Sequence, residues 1–110
     1  MFRKKMLIVI LSFFWLSSAN SGYDANIVGT VTSLYSYSSG LVLFKLSNQP
    51  TSHPTCNSGL FALATDLSET AANRMYSRLL AAYTAQQAIN IGYDSQGDCG
   101  NGYIRVHRAG

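Results

Sequence analysis

The chain lacks most of what catalysis, metal binding or nucleic-acid binding requires. It has no Gly-x-Ser-x-Gly elbow, no phosphate-binding glycine loop and no His-Glu-x-x-His pair. Asp and Glu together number only five, too few to suggest the facing carboxylate pair of a glycosidase. The stretch from Asp94 to Asp98 lacks both the alternating acidic spacing and the distant Glu of a calcium loop. After residue 5 no Lys/Arg cluster occurs, so the counterion-releasing surface that nucleic acid needs is missing. A second long hydrophobic run is also missing, and there are only two prolines and two cysteines. These absences point away from an enzyme, a cofactor and a metal, and towards a small protein that acts by binding. Pairing His107 with Asp94 or Asp98 is the one acid–base arrangement to be imagined, and no serine stands at a defined spacing from it.

The start of the chain explains its charge. Arg3, Lys4 and Lys5 precede an apolar run over residues 6–16, followed by Ser17, Ser18 and Ala19. That is the order of a secretory signal peptide, here residues 1–19. The run is shorter than the ~20 residues of a spanning helix; the alternative is an uncleaved anchor. No cysteine lies near the cleavage zone to carry a lipid. The expected product is residues 20–110, a single domain that is periplasmic or secreted and free of the membrane. Its five basic residues (Lys45, Arg74, Arg78, Arg105, Arg108) balance its five acidic ones (Asp24, Asp66, Glu69, Asp94, Asp98), so the formal +3 belongs to the signal segment. A near-zero net charge does little to keep copies apart, which is compatible with a homo-oligomer.

In an exported chain of this size two cysteines most simply form one disulfide, Cys56–Cys99. A reactive thiol or a zinc site is the alternative. His53 lies three residues before Cys56 across a proline, and no second Cys-His pair follows at zinc spacing.

One helix is clearly written. Ala72, Met75, Tyr76, Leu79, Leu80 and Tyr83 form an apolar stripe at helical spacing, and no Gly or Pro interrupts residues 66–88. Asp66 followed by Glu69 reads as a capping box at its start. Strands are expected at residues 27–37, 41–46, 59–64, 88–93 and 103–108, with Ser38-Ser39-Gly40 turning the first hairpin and a glycine-rich loop at 94–102. The order β-β-β-α-β-β is that of an OB-fold, a five-stranded Greek-key barrel with its helix between the third and fourth strands. In that barrel the third and fifth strands run parallel. Their starting ends, next to Cys56 and Cys99, would then meet. An open ββ-αββ sandwich is the other architecture with this order.

Two surfaces stand out as binding candidates. Tyr35, Ser36 and Tyr37 at the first hairpin combine flat apolar rings with adaptable hydroxyls, a mixture suited to sugars or proteins; the plain alternative is a polar strand edge. Arg74 and Arg78 share the polar helix face, where they are either solvated or paired with acids of a neighbouring subunit.

The segment from Arg78 to Gly92, Arg-Leu-Leu-Ala-Ala-Tyr-Thr-Ala-Gln-Gln-Ala-Ile-Asn-Ile-Gly, resembles the helix-to-fourth-strand region of the B subunits of bacterial AB5 toxins, especially the subtilase-cytotoxin and pertussis-like group. The resemblance implies an exported, disulfide-containing OB barrel that forms a ring, lines its pore with the helix and binds a host glycan or glycoprotein. It also implies a toxin A subunit as partner. The other expectation, from a different class, is a monomeric periplasmic protein-interaction or inhibitor domain.

Overall fold

The computed structural model describes residues 23–110. The expected signal peptide and its cleavage point lie outside the described residues. The elements are β1 (Ala25–Ser36), β2 (Val42–Leu46), β3 (Asn57–Leu63), α1 (Glu69–Ala85), β4 (Ala88–Tyr93), β5 (Cys99–Gly100) and β6 (Tyr103–Ala109). β3, β2, β1, β4 and β6 lie side by side in that order, and a parallel β3–β6 pairing closes them into a barrel. This is the mainly-β, OB-like, single-domain architecture that the strand order implies; closure rules out the open sandwich.

β1 serves two neighbours because it bends. Its first half, from Ala25 to Thr30, pairs with β4, and its second half pairs with β2 after a register shift between Val31 and Ser33. Thr32 sits at the shift and its hydroxyl donates to the Lys45 carbonyl at 3.3 Å. Such an irregularity lets one strand turn a barrel corner. Inside, the alternation of side chains builds a continuous row: Leu34, Phe44, Phe61 and Ile104 are successive cross-strand partners from β1 to β6. Phe44 and Phe61 stack at 5.5 Å, and Tyr93 meets Phe61 edge-on at 5.4 Å. Aromatic pairs of this kind add about 0.5–1.5 kcal/mol each beyond their buried area.

The helix corrects two expectations. Its N-cap is Ser68, whose hydroxyl accepts the Ala71 N–H at 3.1 Å, so Asp66 and Glu69 form no capping box. A serine one residue before the first helical turn reaches the free N–H groups, whereas Asp66 lies too far upstream and is engaged elsewhere. Leu79 and Ala82 are the fully buried helix residues, with Met75, Tyr76 and Tyr83 packed against the core. Leu80, placed on the apolar stripe by spacing, is 41% exposed because the buried face is narrower than the stripe and centred on Leu79. The helix ends where Gln86 adopts a left-handed conformation and its N–H closes on the last carbonyls.

The expected loop at 94–102 contains a strand. Asn101 and Gly102 both have positive φ (52° and 93°), the requirement of a tight two-residue hairpin turn, and they fold β5 back on β6. That places Cys99 beside Cys56 at the parallel seam, where Asn57 and Tyr103 are partners. The disulfide forms there, with Cα atoms 5.5 Å apart.

Next to the disulfide the sheet is interrupted. β2–β3 pairing ends at Phe44–Phe61, and between Asn57 and Phe61 three residues of β3 arch away from β6. The Gln49 carboxamide fills the gap as a substitute peptide unit. Its Oε1 accepts the Leu46 N–H at 3.0 Å and its Nε2 donates to the Ser58 carbonyl at 2.9 Å.

Two stability measurements check this account. Gln49→Ala should lower the unfolding free energy by about 1–3 kcal/mol in urea titrations, the cost of leaving half-buried backbone groups unpaired. Replacing both cysteines by serine should cost about 4 kcal/mol, the unfolded-state entropy regained when the 43-residue separation is no longer bridged.

Candidate functional site

The tyrosine hairpin is a rigid projection. Tyr35 and Ser36 are the last paired residues of β1, opposite Leu43 and Val42. Beyond them the Tyr37 N–H donates to the Leu41 carbonyl at 2.9 Å, and the Gly40 N–H donates to the Tyr37 carbonyl at 3.0 Å. Tyr35 and Tyr37 are 48% and 49% exposed, and Ser36, Ser38 and Ser39 are exposed beside them. Neither phenol makes a hydrogen bond among the described residues, so ring faces and hydroxyls are both open to a ligand. The three hairpin residues singled out by composition are therefore together on one braced tip.

Arg74 and Arg78 are both exposed on α1, and neither forms an ion pair among the described residues. Arg78 lies against the backbone of Gly110, where a Cβ would come within 2.6 Å of its Nε. Gly110 in turn donates its N–H to the Asn90 carbonyl at 2.9 Å.

A third group contains the His107–Asp98 pair that the sequence suggested, joined to Arg105 and Asp66, whose part in it the sequence did not single out. Arg105, on the outward side of β6, holds Asp66 through its two terminal guanidinium nitrogens, Nη1 and Nη2, at 2.7 and 3.1 Å. Its Nε donates to Asp98 at 3.1 Å, and it also reaches the Cys99 carbonyl at 3.2 Å. The second Asp98 oxygen meets His107 Nε2. A bulge brings His107 into this group. Val106 and Ala109 face the core, but two residues rather than one separate them, because β4–β6 pairing jumps from Gly92–Arg108 to Tyr93–Val106. The Tyr23 ring then lies nearly parallel to the imidazole, with centroids 6.2 Å apart. It also covers Gly92, where a Cβ would be 2.9 Å from the ring, so only glycine admits the tyrosine there. One signal in the sequence could have revealed the network. The Asn101–Gly102 turn pairs Cys99 with Ile104, which sets Asp98 beside Arg105.

The chemistry open to this network is limited. Asp98 orients His107, as in an acid–base dyad, but the Ser95 hydroxyl is spent on Asp24 at 3.1 Å. Among the described residues no cavity is enclosed and no group of three or more metal-ligating side chains is assembled. The network ties the segment leading into the helix, the strand beside the disulfide and the segment before β1 to β6.

His53 plays a similar part at the other loop. Its Nδ1 accepts the Thr55 and Cys56 N–H groups at 3.2 and 3.0 Å, so the tautomer that fits carries its proton on Nε2 and donates to the Asp94 carbonyl at 2.9 Å. With Cys56 in the disulfide, no zinc pair with His53 is available.

Hydrogen bonds from Arg105 hold the Asp66 carboxyl below its ordinary value, opposed by partial desolvation and helped by the guanidinium charge. The Ser95 N–H does the same for Asp24. A carboxyl lowered by folding stabilises the fold above its unfolded value, and that contribution is lost as pH falls through the folded one. Unfolding midpoints should therefore decline as pH drops through and below the ordinary carboxylate range, with a shallower decline in Asp66→Asn; an unchanged slope in that variant would show the clamp to be inert. Comparison of the chain with known protein families, curated proteins and solved structures gives no match.

Proposed function

We propose that this protein is an exported binding subunit that recognises host glycans or glycoproteins through the Tyr35–Ser36–Tyr37 hairpin and works without catalysing a reaction. The observation that carries the reading is the pair of half-exposed tyrosines held on a backbone-braced tip of a closed barrel. Tyrosine rings offer flat apolar area to the faces of sugar rings, and the neighbouring serines supply hydrogen bonds at low conformational cost. The disulfide is compatible with export, and among the described residues no helix is long and apolar enough to cross a membrane.

The OB-like barrel and the Arg78–Gly92 segment support a kinship of role with AB5 toxin B subunits. On that reading the chain forms a ring through surfaces that include Arg74 and Arg78, and carries an enzymatic A subunit. The periplasmic or extracellular space is where it acts.

A glycan array on the purified protein tests the central claim. Specific binding to a subset of glycans, reduced at least about tenfold by Tyr35→Ala together with Tyr37→Ala, is the expected result. These exposed positions leave the core untouched, so the variant should unfold at the wild-type temperature. Sedimentation reads the assembly: a pentamer-sized species agrees with a ring subunit. A monomer showing no glycan binding would instead favour the protein-interaction or inhibitor role.

A further inference from the structure

We infer that His53 is an acid-opened latch over the Cys56–Cys99 disulfide: the neutral imidazole holds the loop before Cys56 against the loop before Cys99, and its protonation releases the loop and admits reductants to the sulfur atoms. Both ring nitrogens are committed, in opposite senses. Nδ1 accepts the N–H groups of Thr55 and Cys56 at 3.2 and 3.0 Å, while Nε2 donates to the Asp94 carbonyl at 2.9 Å. Only a neutral imidazole offers one acceptor and one donor. A proton added at Nδ1 turns the acceptor into a third donor aimed at two others. The ring cannot stay there, and as it turns away the Asp94 contact goes with it.

The surrounding charges favour the same response. Residues 47–58, the segment that carries His53, include no charged side chain. The facing segment carries Asp94, whose Oδ1 accepts the Gln96 N–H at 3.1 Å, and Asp98, already held by Arg105 and His107. Asp24 bonds to Ser95 of the same segment. The carboxylates on that side therefore attract an imidazolium once it leaves its seat. His107 has the opposite requirement, because its partner is the Asp98 carboxylate, which a charged imidazole holds at least as well as a neutral one. Acid thus opens the latch without loosening the cluster around Arg105. What the latch covers is the sulfur: Cys56 is only 6% exposed, and its own N–H is one of the two that His53 accepts. Attack on a disulfide depends on access to a sulfur, so a covered pair reacts when its cover lifts. The Thr55 hydroxyl remains on the Gln96 carbonyl at any pH, which keeps the opening local.

The test compares the wild type with His53→Asn from about pH 8 to about pH 5, the interval in which an imidazole changes charge. Asparagine sets its Oδ1 where Nδ1 stands, an acceptor throughout that range. In the wild type, protection of the Cys56 amide against hydrogen exchange, corrected for the pH dependence of the exchange chemistry itself, should fall at least about tenfold towards the acid end, because two hydrogen bonds are lost. The variant should keep its protection. Reduction by a water-soluble phosphine gives the second reading. Phosphorus attacks one sulfur, the S–S bond breaks, and water completes the products, a phosphine oxide and two thiols. The wild-type rate divided by the variant rate should rise at least about tenfold over the same interval. Cys56 protection in the wild type that does not change with pH, or a rate ratio that stays constant, would overturn the latch.

Discussion

Closure of the barrel depends on the parallel seam between β3 and β6. Parallel ladders are slightly less stable per residue than antiparallel ones. This one is also broken between Asn57 and Phe61, so little backbone bonding holds its upper end. The Cys56–Cys99 bond is made at that end, where the two strands begin. Other reinforcements converge on the same place. Gln49 bridges the gap in the β2–β3 ladder, His53 joins the loop before Cys56 to the loop before Cys99, and the Thr55 hydroxyl donates to the Gln96 carbonyl at 2.7 Å. A domain of this size buries a limited core, so cross-links outside the core carry a large share of its stability.

Arg105 links that seam to the rest of the molecule. A guanidinium has five N–H donors in a fixed plane, and here they are divided among the carboxylate ahead of the helix, the carboxylate of the β5 segment and the Cys99 carbonyl. Exposed ion pairs contribute little singly, but a shared arginine with planar contacts to two carboxylates restricts three chain segments at once. The cluster's polar groups are turned to structural use. His107 is held by Asp98 and flanked by Tyr23, over a wall with no enclosed cavity among the described residues.

The barrel was legible in the sequence because its signals were local and repeated. Alternation marked β4 and β6, apolar and β-branched runs bounded by turn residues marked β1 and β2, helical spacing marked α1, and the cysteine positions agreed with the parallel seam. The parts that were not legible depend on contacts between distant residues or on a single turn. Asp66 sits at the right spacing for a capping box, yet Ser68 is nearer to the free N–H groups and Arg105 competes for the carboxylate. The Asn101–Gly102 turn was present as a signal but was absorbed into a loop rich in glycine, and with it went the position of Asp98 opposite Arg105. Leu80 matched the apolar stripe, but periodicity alone does not give the width of the face that the barrel can cover. Of the candidate sites, the hairpin tyrosines were identifiable because composition alone marks them, whereas the Arg105 network needed the bulge in β6, which periodicity does not reveal.

The same constraints bear on the binding surface proposed at the hairpin. A barrel interior filled by Phe44, Phe61, Ile91 and Ile104 leaves no room for a ligand, and the seam end is crowded by loops tied to the disulfide. The β1–β2 hairpin lies away from those cross-links. Its tip is held by backbone hydrogen bonds and by the Ser39 hydroxyl, which accepts the Leu41 N–H at 3.4 Å, while the Tyr35 and Tyr37 phenols make no hydrogen bond among the described residues. Two large aromatic residues are thus half exposed at the tip of a small domain. A ligand bound there would meet preformed geometry, with little ordering cost to set against the contacts it gains.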